Sequence, residues 1–264
     1  MNALLLAFQF LTRYPVGPGP RLAVGERDLG RSTRYFPWVG LVAGLDLMLA
    51  RWLLGLAGAL QRWPLACAAL LTAYWVWICG SLHLDGWMDT LDGLASRREG
   101  PALLEVMHDS RVGAFGALGG GLALLLQFGF LASLPPRLWW ALPLPLLVSR
   151  LLAALLCHSR PYAGTVGSLS GTIITCNEPA DGQWALAWAF LGAGLYVGVA
   201  VALGWSSPRE CLLALGAALL GLAVGLVAVR APRRRLGGIS GDLIGFALVA
   251  AELATAYALL FAGL

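Results

Sequence analysis

The chain has 264 residues, of which 59% are hydrophobic and 12% charged, about half the charged share of an ordinary globular chain. That composition excludes a soluble fold. The 18 basic residues are all arginine and leave a net charge of +4, which suits an anionic substrate or an anionic lipid surface equally well.

The N-terminal stretch MNALLLAFQFLTRYPVG is an apolar run of about ten residues with no positive region before it and no small-residue cleavage site behind it. It therefore does not read as a signal peptide. It is too short to span a bilayer and is expected to form an interfacial or re-entrant helix leading into Arg13 and Pro15. Apolar runs of spanning length follow at 36–60, 64–82, 112–134, 138–157, 184–204, 211–229 and 243–263. The expected fold is all-α, a polytopic membrane bundle of about seven transmembrane helices forming one integral membrane domain over residues 1–264.

The connections at 61–63, 135–137 and 205–210 are short, whereas those at 83–111, 158–183 and 230–242 are longer and polar. Long and short loops alternate, so they belong to opposite faces. The long-loop face, with the N-terminal segment, carries Arg13, Arg21, Arg27, Arg31, Arg34, Arg97, Arg98, Arg111, Arg160, Arg230, Arg233, Arg234 and Arg235, against Arg62, Arg137 and Arg209 opposite. The positive-inside rule makes the long-loop face cytoplasmic. His83, His108 and His158 share that face with 11 of the 14 acidic residues, a segregation that an inert scaffold does not need. Cys67, Cys79, Cys157, Cys176 and Cys211 show no CxxC pairing and read as packing residues. Gly40 with Gly44, Gly116 with Gly120 and Gly221 with Gly225 have the spacing that lets helix backbones approach. Such faces serve folding and self-association equally, so a homo-oligomer stays open.

The strongest local signal is HLDGWMDTLDG, which puts Asp85, Asp89 and Asp92 at i, i+4 and i+7 where the second span is expected to leave the membrane. On a helix these carboxylates fall within about 60° of one another. They repel unless a cation lies between them, and oxygen ligands without cysteine point to Mg2+ or Mn2+. Gly86 and Gly93 are expected to loosen the segment. The bland alternative is a solvated acidic helix end.

A second cluster, EVMHDSRVGAFG, is read as placing Glu105, His108 and Asp109 on one helical face, with Ser110, Arg111 and Gly113 before the third span. Asp109 and Arg111 suit either a metal with a phosphate oxygen or a structural ion pair. The third cluster, RAPRRRLGGISGDLIG, joins the last two spans. Arg233, Arg234 and Arg235 suit anionic headgroups. Gly237, Gly238 and Gly241 make a turn of the kind that offers backbone amides to an anion, and Asp242 suits a cap or a further metal ligand. Arg150 and Glu252 lie deep enough to require partners and suit each other, whereas Asp46 raises the same question with no partner to name.

QFLTRYPV, RYFPWVG, HLDGWMDTLDG, MHDSRVGAFG and GGISGD, in this order and separation, resemble the cobalamin synthase family of adenosylcobinamide-GDP ribazoletransferases. The resemblance covers nearly the whole chain. Trp87 and Met88 stand where Leu-Ala is usual, and His108 stands where a lysine often precedes Asp-Ser-Arg; neither departure removes a carboxylate.

The resemblance implies an enzyme of the bacterial inner membrane with its active site toward the cytoplasm. There a hydroxyl of alpha-ribazole, or of its 5′-phosphate, attacks the phosphate on the aminopropanol arm of adenosylcobinamide-GDP and expels GMP. It implies Mg2+ on Asp85, Asp89, Asp92, Asp109 and Asp242, catalytic roles for Asp85, Asp89, His108, Asp109 and Arg111, and substrate contacts from Arg13, Ser110, Arg160, Gly237, Gly238, Ser240 and Gly241. Its partners are the two substrates and the lipid bilayer, with no nucleic acid. Rival readings are a CDP-alcohol phosphotransferase, whose D-G-x-x-A-R block is not reproduced here, a prenyltransferase with paired Asp-rich motifs, and a cation transporter. The transporter fits poorly because the carboxylates lie at a rim beside arginines instead of near the midplane.

Overall fold

In hydrocarbon every backbone polar group needs a partner within the chain, and a sequence this apolar meets that demand with helices. The computed structural model describes residues 2–16, 25–165 and 167–262; Arg21, counted above on the long-loop face, lies outside them. The helices are α1 (Asn2–Leu11), α2 (Glu26–Ser32), α3 (Phe36–Leu56), α4 (Ala59–Arg62), α5 (Pro64–Ile78), α6 (Leu82–Ala95) and α7 (Gly100–Met107). They continue with α8 (Ala114–Ser133), α9 (Pro143–Leu156), α10 (Leu169–Thr175), α11 (Pro179–Ala202), α12 (Pro208–Ala228), α13 (Arg230–Leu236) and α14 (Gly241–Phe261). Among the described residues six helical stretches are long and apolar enough to cross a membrane, and there are seven if α5 and α6 count as one bent span. The polytopic helical bundle expected from the sequence is therefore present.

The second crossing differs from expectation. It does not run to residue 82 and leave the membrane along its own axis. Instead α5 stops at Ile78, Gly80 and Ser81 take φ values of 65° and 60°, and α6 turns away by 88°. The physical reason lies in the next eleven residues, whose three carboxylates would be costly inside hydrocarbon. After the bend α6 lies across the starts of α8 and α14, as a broken crossing or a re-entrant segment does.

The most buried of the crossings is α9, followed by α14, and the others pack around this pair. The three glycine pairs lie at close helix contacts as expected, Gly116 and Gly120 against Met88 of α6. A Cβ on Gly40 or Gly44 would collide with the α9 backbone at Leu146 or Pro143, and one on Gly221 or Gly225 would meet the carbonyls of Ala251 and Ala247 on α14. These contacts let α3 and α12 lie directly on the central pair.

The buried charges have partners. Arg150 forms an ion pair with Glu252, Ser149 Oγ donates to Glu252 over 3.0 Å, and Arg150 also reaches Ser149 Oγ and Cys79 Sγ, each at 2.8 Å. Asp46, for which the sequence offered no partner, accepts from the Tyr14 hydroxyl at 2.5 Å and the Tyr74 hydroxyl at 2.8 Å. Arg34 pairs with the fully buried Asp181 and ties the entry of α3 to the start of α11. All five cysteines are free, and Cys67, Cys79 and Cys157 are buried, in keeping with a packing role.

Candidate active site

The site is built around α6, which is held between α14 and α8 by residues without side chains. A Cβ on Gly86 would lie 2.8 Å from the Asp242 carbonyl oxygen, and one on Gly245 would lie 3.1 Å from the His83 carbonyl oxygen. Here α6 and α14 touch backbone to backbone. Gly86 and Gly93 therefore do not loosen the segment as expected: both lie inside a continuous helix and are its packing face, Gly93 against Leu103 and Met107. Trp87 stacks on Phe246 with ring centroids 4.7 Å apart, and its Nε1 donates to the Gly119 carbonyl over 3.0 Å. The unusual tryptophan of the motif thus clamps α6 to α14 and α8 at once.

The three carboxylates of α6 divide into two kinds. Asp92 turns to the start of α8, where its two oxygens accept from the amides of Gly113 and Gly116, each at 2.8 Å. It is the cap of that helix, supplied by another element, and its charge sits at the positive end of the helix dipole. A Cβ on Gly113 or Gly116 would collide with the Asp92 carboxylate, so the glycines of VGAFG make room for this cap.

Asp85 and Asp89 are different. Among the described residues neither carboxylate receives a hydrogen bond or an ion pair. Burial, reinforced by the charges of Asp85, Asp242 and Asp92, pushes the Asp89 carboxyl up to about 7. No three His, Cys, Asp or Glu side chains among the described residues converge closely enough to hold a metal ion. The ligand set expected from the i, i+4, i+7 spacing is therefore not assembled, because α8 has claimed Asp92.

The second cluster also departs from expectation. Helix α7 stops at Met107, so Glu105, His108 and Asp109 do not share a helical face. The break carries His108 to Asp242, with Nε2 and Oδ2 3.7 Å apart. Asp109 Oδ1 accepts from the backbone amide and Nε of Arg111 at 3.0 and 3.1 Å, and Oδ2 accepts from its terminal nitrogen at 2.9 Å. These hydrogen bonds hold the Asp109 carboxyl down at about 2. Of the two roles open to this pair, the structure shows the ion pair, with Ser110 exposed between its members.

The glycine turn is a docking device in its first half, where the Gly237 and Gly238 amides expected to hold an anion are already engaged, whereas Gly241 opens α14. The amides of Gly237 and Gly238 donate to the Arg233 carbonyl at 3.0 and 3.1 Å, and the Ile239 amide donates to Pro161 O at 2.9 Å. Ala163 N returns a bond to Ile239 O at 2.8 Å, making a short bridge between the two long loops. Gly237 has a φ of 82°, which favours glycine. Ser240 caps α14 by accepting from the Leu243 amide at 3.3 Å, and Gly241 packs on Ser170.

Several arginines are structural. Arg160 donates to the Cys157 and Ser159 carbonyls and to Asn177 Oδ1, and Arg233 donates to the Arg160 carbonyl at 2.7 Å. Arg235 reaches the carbonyls of Leu94 and Arg98 at 2.8 and 2.7 Å, closing the C-terminal end of α6. Arg233 and Arg235 are thus engaged with carbonyls, and Arg234 is the exposed member of the trio. Arg13 lies at the elbow between α5 and α6, where its amide donates to Ile78 O at 2.9 Å and its stem lies 3.4 Å from where a Gly80 Cβ would be.

Asp85, Asp89, Asp242 and His108, from three separated segments, are therefore gathered at the long-loop end. Sequence reasoning missed Ser170, which Gly241 packs against. The available signal was SLSGTIIT, a capped apolar segment within an otherwise polar loop; it forms α10, with Ser168 Oγ accepting from Gly171 N at 3.0 Å.

A polytopic helical bundle that collects unneutralised carboxylates, a histidine and arginines at one end defines a membrane enzyme. The chain belongs to the family described as cobalamin-5-phosphate synthase, whose model matches residues 3–260. Among curated relatives, the adenosylcobinamide-GDP ribazoletransferase of Desulfitobacterium hafniense is 38% identical over 261 residues, covering 96% of this chain and 94% of the relative. Its namesakes in Brevibacillus brevis and Deinococcus radiodurans are 33% and 36% identical, each over 96% of this chain and over 95% and 83% of their own lengths. No solved structure matches the chain.

Proposed function

We propose that this chain joins adenosylcobinamide-GDP to alpha-ribazole or its 5′-phosphate with release of GMP, in a Mg2+-dependent reaction at the cytoplasmic face of a bacterial inner membrane. The family and the relatives' names support the pair of substrates. The observation that carries the chemistry is the group formed by Asp85, Asp89 and Asp242, in which burial, reinforced by the neighbouring carboxylates, raises Asp89 to about 7. Such a group is unfavourable alone and favourable around a cation. Its donors are all oxygen, which fits Mg2+. Asp85, Asp89 and Asp242 would hold the ion by closing on it, since they do not converge closely enough as they stand, with Asp92 reserved chiefly for α8. When bound, Mg2+ supplies charge neutralisation on a pyrophosphate and its leaving group.

The remaining work belongs to the chain's own side chains. His108, 3.7 Å from Asp242, is placed to receive the proton of the attacking hydroxyl. Arg111, anchored by Asp109 yet 88% exposed, offers its free edge to the transferred phosphoryl. Purified protein in lipid vesicles, given adenosylcobinamide-GDP, either acceptor and Mg2+, should release GMP, and chelation should stop the release. Absence of GMP with both acceptors across a range of Mg2+ and Mn2+ concentrations would refute the reaction.

A further inference from the structure

Asp242 belongs to two environments. It is a member of the carboxylate group, and it also lines a cavity of 260 Å3 walled by α1, α3, the start of α6, α9, α10 and α14. The wall is apolar, formed chiefly by Phe10, Phe36, Ala153, Ile173, Ile174 and Leu248, and the last four of these are almost wholly buried. Phe10 and Phe36 are stacked 6.0 Å apart and contribute aromatic surface. Polar groups enter it from His83, Ser170 and Asp242. His83 is 7% exposed, and its Nε2 finds no partner among the described residues. The same imidazole borders a 20 Å3 void beside Arg150 and Glu252, which has room for about one water. A concave, largely apolar space with a few polar groups at its edge is the ordinary form of a small-molecule site.

The size and chemistry of the space select among the parts of the two proposed substrates. A corrin ring is too large for it. A guanine would lose hydrogen bonds along its polar edge. The acceptor carries an apolar bicyclic aromatic base on a ribose, which matches both the volume and the wall. We infer that this cavity is the subsite for the aromatic base of the acceptor, with the attached ribose lying at Ser170 and Asp242. The inference rests on the proposed reaction. It explains why one residue serves both environments: a base is separated from its reacting hydroxyl by a single ribose, so the subsite has to adjoin the carboxylates. Bases with an exocyclic amine should be poor acceptors, because the wall offers that group few partners.

The test uses 5,6-dimethylbenzimidazole as the probe in equilibrium dialysis with the purified protein, beside GMP-release kinetics. Ala153→Leu fills the space and should weaken base binding about tenfold or more. It should raise the KM for alpha-ribazole and leave the KM for adenosylcobinamide-GDP unchanged. Ile174→Ala widens the space and should admit a bulkier tricyclic base. Equal base binding by wild type and an Ala153→Leu protein of the same thermal stability would overturn the assignment. If Ala153→Leu does not fold, an unchanged base preference in Ile174→Ala overturns it alone. A wild type that releases no GMP would refute the reaction, whereas dialysis reads the subsite independently of turnover.

Discussion

Asp92 offers a direct way to separate a structural carboxylate from a catalytic one. Its oxygens accept two amide hydrogen bonds of 2.8 Å at the start of α8, and hydrogen bonds to a charged group contribute about 1.5–3 kcal/mol each. Asp92→Ala removes both bonds and the charge at the helix N-terminus, so it should cost about 3 kcal/mol, the lower end of that range doubled. Asp92→Asn keeps one acceptor oxygen and should cost about half as much. Thermal unfolding in detergent can be followed with a thiol-reactive fluorophore, because Cys67, Cys79 and Cys157 are free and buried. The expected order is wild type, Asn, Ala, with turnover falling in the same order. An Ala variant as stable as wild type, or Asn and Ala variants indistinguishable in stability, would refute the capping role.

Asp89→Asn should do the opposite, abolishing turnover while stabilising metal-free protein at pH 8. The rise from 3.8 to about 7 corresponds to about 4 kcal/mol, which solvent screening of this half-buried group reduces to about 1–2 kcal/mol. A carboxyl raised in the folded state loses stability as pH climbs from 3.8 to 7, so wild type should gain stability between pH 8 and pH 5 by about two-thirds of that amount more than the Asn variant, and equal gains would contradict it. Glu252→Gln leaves the buried Arg150 guanidinium uncompensated and should cost about 3–5 kcal/mol, whereas Arg150→Met combined with Glu252→Gln should recover most of it; unfolding curves for the two variants and the wild type decide. Arg111→Lys keeps the charge and loses the planar fork, so kcat should fall about tenfold or more with little change in KM, and a change confined to KM would remove Arg111 from the reacting phosphoryl.

The sequence by itself determined the class and the outline of this protein. Runs of about 20 apolar residues admit no other solution in a bilayer than helices, and the alternation of long and short loops put the polar motifs on one face. Paired glycines at 40 and 44 and at 221 and 225 correctly announced close helix contacts, and the order of the motifs announced the family. Periodicity also put three carboxylates on one face of α6, but a helical face does not say what packs against it. Only the tertiary structure brought the start of α8 to Asp92 and the start of α14 to Gly86, leaving Asp85 and Asp89 without a partner among the described residues beside Asp242 and its neighbour His108. The bend of 88° after Ile78, the partners of Asp46 and the bridge between Tyr162 and Ile239 were equally beyond local reading. Each depends on segments distant in sequence that meet only when the bundle closes, and the free energy that decides among them is that of the closed bundle and not of any single segment.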